Sequence, residues 1–193
     1  MMAAHPVSHA PTGAHPRSRL AINRTGMWLF LLSESFLFAA ILTSRYYLQG
    51  LTPGQGLNQL LGLGITIVLL GSSLNAYRGE MCAAHGDMKR AARNLAITIG
   101  LGIVFVVGVG LEWREAFVHF PPHTGFGTLF FTMTGIHAFH VVTGLLALGV
   151  VYGMVRRGRF TAGNYWGVEG VVKYWHFVDV AWVFIYPTLY LVN

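Results

Sequence analysis

The run TGMWLFLLSESFLFAAILTS, residues 25–44, decides the fold class. It lies between Arg24 and Arg45 and holds a single charged residue, Glu34. Its Leu, Phe and Ala content suits a helix, and about 20 apolar residues are what a helix needs to cross a hydrocarbon core of about 30 Å. Working outward, four more such runs follow. After the turn-forming Thr52-Pro53-Gly54, residues 57–77 return without a charge. Residues 94–111 form a third span, approached by a basic stretch from Lys89 and ending near Glu112 and Trp113. Beyond the loop at 117–124, with its Pro121-Pro122, an uncharged run at 125–155 exceeds the membrane thickness and allows tilt. Residues 174–192 complete the set, interrupted by His176 and Asp179. The expected architecture is all-α, a polytopic bundle of five transmembrane helices spanning residues 24–193. Residues 1–23, rich in Ala, His, Pro, Ser and Gly and lacking any acid, read as a mobile cytoplasmic tail. Its His5, His9 and His15 leave open an adventitious metal contact against the plainer solvated tail.

Composition agrees with this reading. Of 193 residues 54% are hydrophobic and only 10% charged, with a mean hydropathy of +0.54, which excludes an ordinary soluble domain. The net charge of +6 does not point to nucleic acid, because the bases sit in short clusters between the apolar runs. In the five-helix arrangement eleven fall on the side of the N-terminus (Arg17, Arg19, Arg24, Arg78, Lys89, Arg90, Arg93, Arg156, Arg157, Arg159 and Lys173) and two, Arg45 and Arg114, on the other. The positive-inside rule therefore places the N-terminus inside and the C-terminus outside. The single cysteine, Cys82, excludes an internal disulfide and a thiolate metal cluster built by this chain alone. No internal repeat is evident, so the inverted-repeat architecture of an ion-coupled secondary transporter gains no support.

A few polar residues inside these runs carry the chemistry. An acid at a helix centre costs on the order of 2.5–3.5 kcal/mol on insertion scales, so Glu34 requires an explanation: structural hydrogen bonding, proton relay, or contact with a ligand or lipid. His137 and His140, three residues apart, share one face of the fourth span. With His176 on the fifth they make a bis-histidine haem geometrically conceivable; the commoner arrangement pairs them with Glu169, His176 or Asp179 across helices. His176 and Asp179 are one turn apart, so the carboxylate is placed to accept a hydrogen bond from the imidazole. At the basic end, Arg156, Arg157 and Arg159 are candidates for binding anionic lipid headgroups.

Four passages resemble subunit III of the haem-copper respiratory oxidases, most closely the cytochrome c oxidase subunit III family. Ser33-Glu34 is similar to its Ser-Glu followed by an aromatic half helix, and Glu112-Trp113-Arg114-Glu115 to its acidic element. Phe130-Phe131-Thr132-Met133-Thr134-Gly135-Ile136-His137-Ala138-Phe139-His140-Val141 resembles its Phe-Phe-x-x-Thr-Gly-x-His-x-x-His-Val motif, and Tyr174 to Trp182 its final-helix signature. The familiar form has seven helices, whereas this chain begins at what resembles the third, like the short five-helix bacterial form. The resemblance implies a non-catalytic subunit of a proton-pumping oxidase in a bacterial inner membrane. Such a subunit holds no haem, copper or other metal of its own, and those cofactors belong to partner subunits. Partners would be the catalytic subunit I, subunit II, possibly a small subunit IV, and phospholipid, with no nucleic acid. A quinol oxidase subunit III and a nitric oxide reductase accessory protein are the related alternatives. Glu34, Glu112, His137, His140, Glu169, His176 and Asp179 are the expected proton-related or buried polar residues.

Overall fold

A computed structural model describes residues 19–49 and 59–191. The chain forms five long helices: α1 (Arg19–Gln49), α2 (Gln59–Ala84), α3 (Met88–His119), α4 (Gly125–Arg156) and α5 (Trp166–Tyr186), the last continuing into one π-helical turn, Pro187–Leu191. The first four are long and apolar enough to cross a membrane. The fifth has 21 residues, or about 31 Å of rise, but it carries Glu169, Lys173, His176 and Asp179. It packs against α1, α2 and α4, and the buried Glu169 and Asp179 lie inside the bundle rather than on its surface.

The short connections are set by local chemistry. Gly86, at φ +82°, lets the chain reverse after α2, and the Asp87 side chain then accepts a hydrogen bond from the Arg90 amide at 2.9 Å, capping α3. Thr124 caps α4 in the same way, accepting from the Gly127 amide at 3.0 Å. Helices α2, α3, α4 and α5 close a ring of neighbours, and α1 leans on α4 and α5 from outside. Arg24 of α1 meets Glu169 of α5 near both N-termini, and Tyr46 meets Thr188 near both C-terminal ends, so α1 and α5 run parallel. The α2–α5 contacts run the other way, from Ser72–Trp175 to Gln59–Tyr190.

Two tryptophans dominate the core. Trp175 and Trp182, two turns apart on α5, are fully buried, and each donates its indole N–H at 2.9 Å to an α2 hydroxyl, Ser72 and Thr66 respectively. Room for the Trp175 ring comes from glycines: a Cβ on Gly102 would stand 2.8 Å from it and one on Gly144 3.0 Å.

Several boundaries differ from the sequence reading. Residues 19–23, assigned above to the tail, are the first turns of α1, while the remainder of that tail and the Thr52-Pro53-Gly54 turn lie outside the described residues. Helix α3 does not stop near Glu112 but continues to His119, and α5 begins at Trp166 rather than Tyr174. In both cases charges that read as helix ends are paired or buried.

Candidate functional site

A cleft of about 910 Å³ opens between α1, α4 and α5, mostly apolar, with Met27, Phe30, Leu37, Ile136, Phe139 and Trp166 in its walls. Its polar groups are Glu34, His140, Thr143 and Tyr174. His140 Nε2 lies 3.1 Å from Glu34 Oε2, and its Nδ1 lies 2.7 Å from the Ile136 carbonyl oxygen. A carbonyl only accepts, so Nδ1 carries hydrogen and Nε2 faces the carboxyl group. The Glu34–His140 bond then contains one proton whichever residue holds it: a neutral acid donating to imidazole, or imidazolium donating to carboxylate. This resolves the cost of Glu34 in the apolar zone, since the group is neutral or paired and is hydrogen-bonded either way. Beside it Tyr174 Oη and Thr143 Oγ1 are 2.9 Å apart and each lies within hydrogen-bond reach of the His140 carbonyl oxygen, at 3.2 and 2.9 Å, so that one hydroxyl can donate to the other and the second to the carbonyl.

At the basic end of the cleft, Arg24 grips Glu169 with two bonds, Nε to Oε1 at 3.0 Å and Nη2 to Oε2 at 2.9 Å. Lys173 bonds the same carboxylate and sits 5.9 Å above the Trp166 ring. Glu169 is therefore the hub of an α1–α5 junction, not a partner of the α4 histidines.

The other expected residues are separate from this cluster. His137 is wholly buried among rings, stacked on Trp182 at 4.8 Å and edge-on to Phe105 and Phe38 at 5.7 and 6.4 Å, with neither ring nitrogen hydrogen-bonded among the described residues. His176 takes Ser73 of α2, Nδ1 to Oγ at 2.6 Å, in place of the expected Asp179. Asp179 lies beside the same serine, but neither carboxyl oxygen meets hydrogen-bond geometry. Glu112, 2% exposed, accepts from Tyr190 Oη at 2.5 Å. Arg156, Arg157 and Arg159 are all exposed; Arg156 folds onto Tyr152, its Nη1 donating to the phenol at 3.1 Å. Sequence reasoning took Arg24 and Lys173 only as topology charges and missed Ser73, Tyr174 and Tyr190 as partners. The Glu169–Lys173 spacing of four was the one local signal; the others join residues 31 to 145 positions apart. No group of three or more metal-ligating side chains occurs among the described residues.

Fold and site together define a multi-pass helical membrane protein with an acid–imidazole pair at an intramembrane cleft. The comparisons sharpen that class. The family model described as cytochrome c oxidase subunit III matches residues 8–193, and the chain belongs to that family. Among its relatives, cytochrome c oxidase subunit 3 of Corynebacterium diphtheriae is 33% identical over 195 residues, covering 93% of this chain and 95% of that protein. The subunits 3 of Dugong dugon and Oryctolagus cuniculus are 34% and 36% identical over 180 residues, covering 86% of this chain and 68% of each relative. Membership of this family makes the chain part of a multi-subunit oxidase.

Proposed function

We propose that the chain serves that oxidase as a subunit without a redox centre, bracing the catalytic subunit I and supporting proton uptake while haem and copper in partner subunits reduce oxygen with electrons from cytochrome c. Subunit II and a small subunit IV complete the proposed assembly, and phospholipid is its proposed small-molecule partner, drawn to Arg156, Arg157 and Arg159 among the bases of one end. The proposed setting is a bacterial inner membrane, in keeping with the near full-length match to a bacterial relative, and the positive-inside rule is the ground for proposing the basic end inside and the C-terminus outside. The proposed domain division sets a mobile N-terminal tail before the membrane bundle. The carrying observation is the match of the cytochrome c oxidase subunit III family model to residues 8–193, with the Glu34–His140 hydrogen bond at the cleft as the pair proposed to support proton uptake. Glu112, Glu169, His176, Asp179 and His137 are proposed as structural polar residues elsewhere in the bundle.

The test is to purify the complex through a tag on this chain. Haem and copper should co-purify, reduced cytochrome c should support oxygen consumption, and the chain separated from its partners should show no Soret band. Oxygen consumption with quinol but not with cytochrome c would overturn the branch. A Soret band at one haem per separated chain would overturn the non-redox role.

A further inference from the structure

A second groove, of about 420 Å³, runs along the other side of α1, between it and α5. Trp28, Leu32 and Val180 give it apolar walls, and its polar side chains are Ser35, Lys173 and His176. His176 lines this groove while its Nδ1 lies 2.6 Å from Ser73 Oγ on α2. One turn further along α5, Asp179 stands beside the same serine, 3% exposed, with neither carboxyl oxygen hydrogen-bonded among the described residues. Trp175 and Trp182 flank Asp179 on that helix face, but their indole N–H groups are committed to Ser72 and Thr66. Ser73 is the hydroxyl left to serve the buried acid.

A serine hydroxyl has one hydrogen to give and an oxygen that accepts. Once the Asp179 side chain turns to meet it, Ser73 completes a row of two hydrogen bonds that holds two protons. In one arrangement a neutral Asp179 donates to Ser73 Oγ and the serine donates to His176 Nδ1. In the other the acid proton has passed to Oγ and the hydroxyl proton to Nδ1, so imidazolium donates to Ser73 and Ser73 to the carboxylate. One O–H bond breaks at Asp179, one N–H bond forms at His176, and the net charge is zero in both. Neutrality suits the surroundings, since no cation among the described residues pairs with Asp179. The nearest charges are Lys173, one turn toward the basic end of α5, and Glu80 of α2 close to that lysine; α1 presents none to the groove.

We propose that Asp179, Ser73 and His176 form a second proton-binding site, in which the buried acid gains and loses its proton through Ser73 and His176, with His176 Nε2 as the exit to the α1–α5 groove. From the imidazolium arrangement the Nε2 proton leaves to water in the groove. What remains is a neutral imidazole with its hydrogen on Nδ1 and a carboxylate that still accepts from Ser73, and uptake at Nε2 reverses the step. Asp179 therefore ionises without meeting water itself. The site goes beyond the structural role of His176 and Asp179, is separate from Glu34–His140 across α1, and depends on neither cytochrome c nor quinol.

The sequence makes the test clean, because Asp87 and Asp179 are its only aspartates. The full chain in detergent, labelled with 13C at the aspartate carboxyl and 15N in the histidine rings, gives two carboxyl signals, and Asp87→Asn identifies the exposed one. Across a pH series followed by NMR, the Asp179 carboxyl carbon and the His176 nitrogens should change together, ending with the hydrogen on Nδ1, while Asp87 titrates apart. Ser73→Ala should cut the Asp179 change over the His176 interval to less than about half, since coupled groups separate once the one between them is removed. Ser73→Thr keeps a hydroxyl and should retain the joint change, and His176→Phe should hold Asp179 in one state throughout. Asp179 titrating with Asp87, or showing no change at any pH in the unaltered chain, would overturn the site. An undiminished joint change in Ser73→Ala would overturn the serine as its bridge. Should Ser73→Ala fail to fold, His176→Phe decides alone: an Asp179 that still titrates there overturns His176 as the exit.

Discussion

Glu34 and His137 are both polar residues in apolar surroundings, yet they stand in opposite chemical positions. Glu34 has a partner, so the informative substitutions separate the bond from the proton. Glu34→Gln retains a donor for His140 Nε2 and should leave the oxidase assembled with most of its initial turnover. Glu34→Ala strands that nitrogen at a cost of about 1–3 kcal/mol and should loosen the subunit, with activity lost sooner during turnover. Oxygen consumption followed in time, with retention of this chain measured in the same preparation, checks both. Abolished initial turnover in an intact Glu34→Gln complex would make the shared proton an obligatory intermediate. His137 has no hydrogen-bond partner to lose among the described residues: stacked on Trp182, it should accept Phe with little loss of thermal stability. His140→Phe, by contrast, removes the Glu34 bond and should lower the melting temperature clearly. A larger loss at position 137 than at 140 would show that His137 has a polar partner in the assembled complex.

At the scale of helices, packing around Trp175 sets which glycines matter. Gly102→Ala would place a methyl 2.8 Å from Trp175 and 2.7 Å from Leu145, and such overpacking costs about 1–3 kcal/mol. Gly100 and Gly149 have nothing within 4 Å of an added Cβ, so alanine there should be neutral or slightly stabilising through helix propensity. Thermal unfolding of the three variants in one detergent checks this, and equal melting temperatures would show that the core yields around Trp175. The same helices show what was legible in sequence. Apolar runs bounded by charges gave five helices in the right order, and the His137–His140 and Tyr174–Trp182 passages led to the family. Helix ends were misread where a charge is satisfied by a distant partner: Glu112 by Tyr190, 78 positions away, and Glu169 by Arg24, 145 positions away. His176 and Asp179 looked like a pair from their one-turn spacing. The nearby Ser73 instead takes His176, and only the packing of α2 on α5 reveals it. Periodicity carries information about a helix and its own turns; it carries none about which helix supplies the partner.

For the molecule as a whole, the weak point is the attachment of α1. The other four helices form a closed ring, while α1 has a single side against α4 and α5, and much of its length, including Trp28, Leu29, Leu32 and Phe36, is exposed. Among the polar contacts along that side are Arg24–Glu169 at the basic end, Glu34–His140 midway, and, at the far end, Tyr46–Thr188 at 3.4 Å and the buried Arg45 guanidinium 5.9 Å over the Phe126 ring of α4. The cleft runs from beside the first of these to just past the second, with Glu34 and His140 in its wall. An ion pair at the mouth of a cleft closes one end of a helix that packing alone holds loosely, so breaking it should free the first turns of α1 without unfolding the ring. Hydrogen–deuterium exchange of the assembled oxidase is expected to show faster exchange across residues 19–30 in both Arg24→Gln and Glu169→Gln, with α3 unchanged. Because the two residues act through one bond, Arg24→Gln combined with Glu169→Gln should exchange no faster than the faster single variant. Additive acceleration in the double variant would mean that the two side chains hold α1 independently, through contacts other than the bond between them. Unchanged exchange in all three would place the attachment of α1 in the Glu34–His140 contact and the surrounding apolar packing.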